Sequence, residues 1–235
     1  MNPAPQQLDS APTAVADAGA DWRVPGWAVV PAVAAPVVLL AGITVSPALQ
    51  PPEFDSVRDT ISSLAARDAG SHAVMTAALI GLGLSYVATA IGLVGARLVG
   101  RVLLGAGGVG TALVGVFPLP TGTGGSVAHA TSALLSVSGI TLWPFGLIPR
   151  RSDPAFVHRP FAARMPVNLC ATAALLLLFA WFGLEQWTRW GHVGLSERVA
   201  ALGQAIWPLI VVLTARAQRA TGQHRRQPVG SSAGS

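Results

Sequence analysis

Long apolar stretches separated by short polar connections make up most of the chain. Six of these stretches approach or reach the roughly 20 residues that a helix needs to cross the hydrocarbon core of a bilayer. The apolar core positions of a water-soluble globule would be scattered rather than gathered into such runs. The pattern predicts an all-α fold, a polytopic bundle of six transmembrane helices over residues 27–45, 73–96, 102–117, 131–148, 167–182 and 199–214.

Composition agrees with a membrane protein. Hydrophobic residues make up 51% of the chain and charged residues only 11%, well below the quarter or so that is usual in soluble domains. Residues 1–22 have no apolar period and are rich in Ala, Pro, Gln and Asp, which predicts a disordered tail. We therefore place the transmembrane domain at residues 23–215 and a second disordered tail, basic in character, at residues 216–235.

The arginines predict the orientation of the bundle. The chain has no lysine, and six spans would place eleven of its arginines on one side and only Arg58, Arg67, Arg189 and Arg198 on the other. Cytoplasmic loops carry such an excess, so both termini are predicted to be cytoplasmic (N-in/C-in) in a bacterial inner membrane. Because the basic residues lie in short connections and the tail, we expect no nucleic-acid partner.

Small residues recur at helical spacing on the second and third predicted helices. The two stripes are Gly81, Ser85, Ala88 and Gly92, and Gly107, Thr111 and Gly115. Lipid is as apolar as leucine, so helices in a membrane associate largely through close packing, which small side chains permit. We interpret the two stripes as a tight contact between these two helices.

Two connections are predicted to face outward. In residues 46–71, the apolar residues Phe54, Val57, Ile61 and Leu64 follow a helical period, which predicts a short amphipathic helix on the membrane surface or over the bundle. Residues 117–126 are rich in Pro and Gly but lack the lysine and hydroxyl of a P-loop, so no nucleotide cofactor is indicated. The single cysteine, Cys170, excludes an intramolecular disulfide.

Polar residues gather at the outer ends of the second and fourth predicted helices. His129 opens the fourth helix, with Ser132 and Ser136 on the same face. His72 opens the second helix, with Thr76 one turn below it. These residues predict a polar pocket beneath the outer connections, a usual place for a ligand site. The first connection adds two further candidates, Asp59 and Ser62.

The pocket residues allow two interpretations. Two imidazoles and a carboxylate could bind zinc, which keeps three protein ligands in hydrolytic sites. The spacing of His72 and His129 matches no zinc motif, however, and the two rings could instead hydrogen-bond loop carbonyls and hold the outer connections down. No charged residue lies well within a predicted span, which disfavours proton-coupled transport.

Four short motifs resemble a known family. Residues 59–65 (Asp-Thr-Ile-Ser-Ser-Leu-Ala), 70–73 (Gly-Ser-His-Ala), 115–118 (Gly-Val-Phe-Pro) and 129–130 (His-Ala) look like the bacterial membrane family catalogued as domain of unknown function 998. The resemblance covers about residues 25–215 and implies six or seven spans without an activity. An acidic residue often follows Phe-Pro in that family, whereas Leu119 follows here, which weakens a metal or catalytic role for this segment.

Three functions are compatible with these patterns. We favour a membrane protein that binds lipid or a membrane-protein partner at its outer face without catalysis, because no motif specifies a reaction geometry. The first alternative is a membrane-embedded, metal-dependent hydrolase that uses His72 and His129. The second is a transporter of lipid or a neutral solute. The sequence specifies neither an enzyme activity nor a cofactor.

Overall fold

Seven α-helices make up the bundle in the computed structural model, which describes residues 22, 24–121, 125–148 and 159–226. No strand occurs among these residues. The helices are α1 (Val29–Val45), α2 (Ile61–Leu64), α3 (His72–Gly92), α4 (Leu98–Val116), α5 (Val127–Gly146), α6 (Met165–Thr188) and α7 (Val193–Arg226). Short 3-10 helices, Gly26–Ala28 and Ser46–Leu49, flank α1, and a third, Phe161–Ala163, precedes α6.

Five helical segments are long and apolar enough to cross a membrane, which confirms the membrane class. They are Gly26–Leu49, His72–Gly92, Leu98–Val116, Met165–Thr188 and Val193–Gln218. The sixth predicted span corresponds to α5, whose 20 residues form a helix of spanning length. Its histidine, serines and threonines lower its hydropathy, so it is not among the five.

The six long helices form a closed ring in chain order. α1 contacts α3, each of α3, α4, α5 and α6 contacts the next, and α7 returns to α1. The short helix α2 lies against α3 and α7. The second and fourth predicted spans, α3 and α5, are therefore separated by α4. The polar pocket predicted at the ends of these two helices is therefore not a direct α3–α5 contact.

Glycines allow the backbones of α3, α4 and α5 to touch. A Cβ atom on Gly83 of α3 would lie 2.4 Å from the carbonyl oxygen of Gly108 in α4. On the opposite side of α4, a Cβ atom on Gly110 would lie 2.4 Å from the backbone nitrogen of Ser136 in α5. Small residues thus bring helices together as expected in a bilayer, but α4 is packed on two sides.

The two stripes of small residues do not contact each other as predicted. Gly107 faces Ile140 of α5, and only Gly115 of its stripe faces α3. On α3, Gly81 faces α1, and Gly92 faces the residues just before α1. A stripe identifies a close contact, but its partner depends on how each helix is rotated within the ring.

The predicted amphipathic helix over residues 54–64 is shorter than expected, since only Ile61–Leu64 is helical. The Asp55 carboxylate accepts a hydrogen bond from the Val57 backbone N–H at 2.8 Å, a local bond that competes with helix formation. Ile61 and Leu64 are buried. The segment therefore caps the bundle.

Both ends of α7 extend beyond the predicted span. The helix begins at Val193 rather than near 199, and it continues to Arg226 through residues predicted to be tail. Alanine, glutamine and arginine dominate this continuation, and these residues have high helix propensity.

Trp22, predicted to lie in the first tail, is buried. Residues 1–21 and 227–235, and the connection with Arg150 and Arg151, lie outside the described residues.

Arginines at the end of the bundle opposite α2 bind carbonyl groups where helices finish. Arg101 donates from Nε to the Ala90 carbonyl at 2.9 Å, near the carboxyl end of α3. Arg159 donates to the Leu147 carbonyl at 2.7 Å, just after α5. Arg97 donates to the carbonyl of the next residue, Ile148. Cations at helix carboxyl ends satisfy free carbonyls and oppose the negative end of the dipole.

We predict that Gly139→Ala destabilises the bundle. The added Cβ would lie 2.6 Å from the backbone nitrogen of Gly107 and the carbonyl oxygen of Leu103. Forcing a methyl group into a packed contact costs about 1–3 kcal/mol. Thermal unfolding in detergent should therefore show a lower midpoint than that of the parent protein.

The matched control is Gly183→Ala in α6, where no neighbouring atom would lie within 4 Å of the new Cβ. Replacing glycine by alanine within a helix stabilises it by roughly 0.5–1 kcal/mol, so this variant should unfold no earlier than the parent. Equal midpoints for the two variants would contradict the close contact between α4 and α5.

Candidate functional site

A cavity of about 350 Å³ lies at the centre of the ring. All six long helices contribute to its wall, together with α2, the residue that precedes α2, and the connection after α4. Most of the wall is aliphatic or aromatic, with Leu39, Leu79, Leu82, Phe179 and Phe182 among its side chains. The cavity is therefore an apolar space enclosed by helices from the whole length of the chain.

Helical periodicity explains which residues of α5 and α7 reach the cavity. On α5, the lining residues are His129, Ala133, Ser136, Val137 and Ile140, a spacing that keeps them on one face. On α7, they are Glu197, Ala200, Ala201 and Gln204, again one face of a helix. The small alanines leave room at the centre of the bundle.

The carboxylate of Glu197 lies at the α2 end of the cavity. Its Oε2 accepts a hydrogen bond from the backbone N–H of Ile61 at 2.6 Å, and Ser62 lies beside the same carboxylate. Thr60 caps α2 by accepting a hydrogen bond from the Ser63 N–H at 3.1 Å. The first outer connection thus places Thr60 and Ser62 in the cavity wall.

Arg198 fastens the first outer connection to α7. Its Nη1 donates to the Asp59 carbonyl at 2.7 Å and to the Gly194 carbonyl at 2.9 Å. Position 194 must be glycine here, because a Cβ atom would lie 2.2 Å from the Asp59 carbonyl oxygen. The Leu195 N–H also donates to the Val57 carbonyl, at 3.0 Å. These bonds hold the connection before α2 against α7, next to the cavity.

Both predicted site histidines bind carbonyls of the outer connections. Nδ1 of His72 lies 2.7 Å from the Ala65 carbonyl oxygen, and Nδ1 of His129 lies 2.9 Å from the Phe117 carbonyl oxygen. This is the arrangement expected if the rings hold those connections in place. Of the two, only His129 lines the cavity. In the part of the chain that the structure describes, no three His, Cys, Asp or Glu side chains are grouped as metal ligands.

The other predicted residues have separate surroundings. Ser136 and Ser62 line the cavity, whereas Ser132 is buried and donates to the carbonyl of its own helix. Thr76 has a buried hydroxyl oxygen with no hydrogen-bond partner. The Asp59 carboxylate accepts the Asp55 N–H at 2.8 Å. The structure thus brings His129, Ser136 and Ser62 together and leaves the other predicted residues outside the wall.

Sequence reasoning missed the two polar residues of α7, Glu197 and Gln204. They are seven residues apart, which places them on one helical face, but a helix start near 199 left Glu197 in a connection. The structure includes Glu197 and Arg198 in the first two turns of α7, where the sequence placed a connection. Gln204 donates to the Thr141 hydroxyl of α5 at 2.9 Å.

Comparison with known proteins gives one match. A family model described as "Protein of unknown function (DUF998)" matches residues 32–214, which confirms the family resemblance of the short motifs. No curated protein matches the chain, and no solved structure does.

We predict that His129 acts as a structural donor to the second outer connection. His129→Leu removes the bond to the Phe117 carbonyl, and an unpaired buried acceptor costs about 1–3 kcal/mol. His129→Asn keeps a donor close to the Nδ1 position and should recover most of the loss. Thermal unfolding and the rate of proteolysis in residues 117–126 measure the effect, and an Asn variant as unstable as the Leu variant would contradict this role.

Proposed function

Because the chain belongs to the DUF998 family, whose function is unknown, we propose a function from the cavity: the protein binds a lipid or similar amphiphile within the membrane, at its outer side, without catalysis. The observation that carries the proposal is an apolar cavity with polar groups concentrated toward one end. Ligand pockets commonly combine mainly apolar walls with a few placed polar groups.

The polar groups have an order along the bundle axis that suits an amphiphile. Glu197, Ser62 and His129 lie where α2 and the outer helix ends meet. Gln204 lies seven residues further along α7, or roughly 10 Å at the rise of an α-helix. A polar headgroup would occupy the outer end, and its chain would extend among Leu79, Leu82 and other apolar residues.

The cavity wall is most open at α6. This helix is the least buried of the five spanning segments. Gln186 lines the cavity and is also exposed, and Phe182 nearby is only partly buried. On α5, Ala133 and Val137 line the cavity and are partly exposed. A ligand would enter between α5 and α6 from the outer half of the bilayer.

The geometry favours binding over metal-dependent hydrolysis. A hydrolytic zinc site needs three protein ligands around one open position. His72 does not line the cavity with His129, and the described residues hold no such group. Binding of an amphiphile needs only the enclosed space and the polar end.

The topology that accompanies this function is six spans with both termini cytoplasmic. α5 belongs to the ring, and its polar residues Ser136 and Thr141 are bonded to Thr111 of α4 and Gln204 of α7. These bonds turn the polar face away from lipid, so α5 can cross the bilayer despite its composition. Arg97, which the arginine asymmetry assigns to the cytoplasm, lies at the opposite end of the bundle from Glu197.

We predict that filling the cavity abolishes amphiphile binding. Ala133→Phe would place a ring in the cavity, and the strain of overpacking should lower affinity by about tenfold or more. Ala130→Phe is the matched control, because Ala130 lies on the same helix, is exposed and does not line the cavity. Native mass spectrometry of purified protein would measure the lipid retained, with thermal unfolding to verify the fold. Equal retention in the two folded variants would contradict the proposed site.

Labelling of single cysteines tests the topology. In a Cys170→Ser background, Glu53→Cys and Arg164→Cys replace exposed residues that the six-span arrangement places outside and inside, respectively. A membrane-impermeant maleimide should label position 53 in intact cells and position 164 only after permeabilisation. Labelling of position 164 in intact cells would overturn the arrangement.

A further inference from the structure

Among the described residues, those that line the cavity include one carboxylate and no arginine. Glu197 is the acidic residue of its wall, and the guanidinium of the adjacent Arg198 is bonded to the Asp59 and Gly194 carbonyls. Arg198 itself does not line the cavity. When ionised, the Glu197 carboxylate presents a negative charge directly to a bound headgroup, whereas the Arg198 guanidinium acts on it from outside the wall.

Two further groups in the wall offer a hydrogen-bond acceptor to a ligand. A carbonyl oxygen cannot donate, so Nδ1 of His129 carries the hydrogen in its bond to Phe117, and Nε2 of the neutral ring is then an acceptor. Gln204 uses its Nε2 to donate to Thr141, which leaves its amide oxygen as an acceptor. Together with Glu197, these groups can each accept a hydrogen bond from a ligand.

Two hydroxyl groups deeper in the cavity, those of Thr111 and Ser136, are already paired with each other. The Thr111 hydroxyl donates to the Gly107 carbonyl at 2.9 Å and lies 2.7 Å from the Ser136 hydroxyl. Because Thr111 has a single hydrogen, Ser136 donates to Thr111. Neither of these two hydroxyls is left to donate to a ligand, and the hydroxyl of Tyr86, which is also in the wall, can accept from a ligand as well as donate to it.

We propose that the cavity selects a single-chain amphiphile with a protonated primary amine as its headgroup. An ammonium group has three donors and no acceptor, and its charge is opposite to that of Glu197. A volume of about 350 Å³ is at the lower end of the roughly 300–1,000 Å³ of ligand pockets, which suits one alkyl chain. The inference rests on the proposed function and adds the class of headgroup.

Binding of three amphiphiles with the same chain tests this selectivity: decylamine, decanol and decanoate, each measured with full-length protein in nanodiscs at slightly alkaline pH. The parent protein should bind decylamine at least about tenfold more tightly than decanol, because a hydrogen bond to a charged group exceeds one between neutral groups. Decanoate should bind most weakly, since its carboxylate would face Glu197.

Glu197→Gln is the matched variant, because an amide oxygen can still accept the Ile61 N–H while the charge is lost. It should lose the parent's preference for decylamine over decanol. A parent that binds the three amphiphiles equally, or a Gln variant that keeps the preference, overturns the headgroup assignment and leaves amphiphile binding standing. If the parent binds none of them and Ala133→Phe changes nothing, the proposed function itself fails.

Discussion

Contact between the backbones of α3, α4 and α5 is the constraint on which the bundle depends. Lipid provides little drive for helices to associate, so the contact must come from close packing. Gly83 with Gly108, and Gly107 with Gly139, remove the side chains that would separate these helices. The same closeness covers the polar residues of α5 with protein, which gives a helix of low hydropathy a place in a membrane bundle.

The opposite side of the ring is less tightly packed, and this difference produces the cavity. α6 is the least buried spanning helix, and α7 presents Ala200 and Ala201 toward the centre. Close packing on one side and small side chains on the other leave an apolar space in the middle. Its position is thus a consequence of the same packing that stabilises the fold.

The end of the cavity next to α2 is organised by side chains that satisfy backbone groups. His72, His129 and Arg198 bind carbonyls of the outer connections, and Glu197 binds the Ile61 N–H. A backbone group that is buried from water without a hydrogen-bond partner costs free energy. These bonds therefore stabilise the connections at this end of the cavity. These side chains bind backbone groups, and the proposed ligand would use the acceptor capacity left over at Glu197 and His129.

The sequence by itself determined the membrane class, the approximate helices and the family, and it named His129, Ser136 and Ser62 among the pocket candidates. The length of an apolar run and the polarity of a helix face depend only on residues that are close in the chain. The sequence was therefore sufficient to predict them. Only the tertiary structure decided that Gly107 meets α5, that α4 separates α3 from α5, and that Glu197 and Gln204 share a cavity with His129. These relations join residues far apart in the chain, and they depend on the rotation and packing order of helices, which no local pattern specifies.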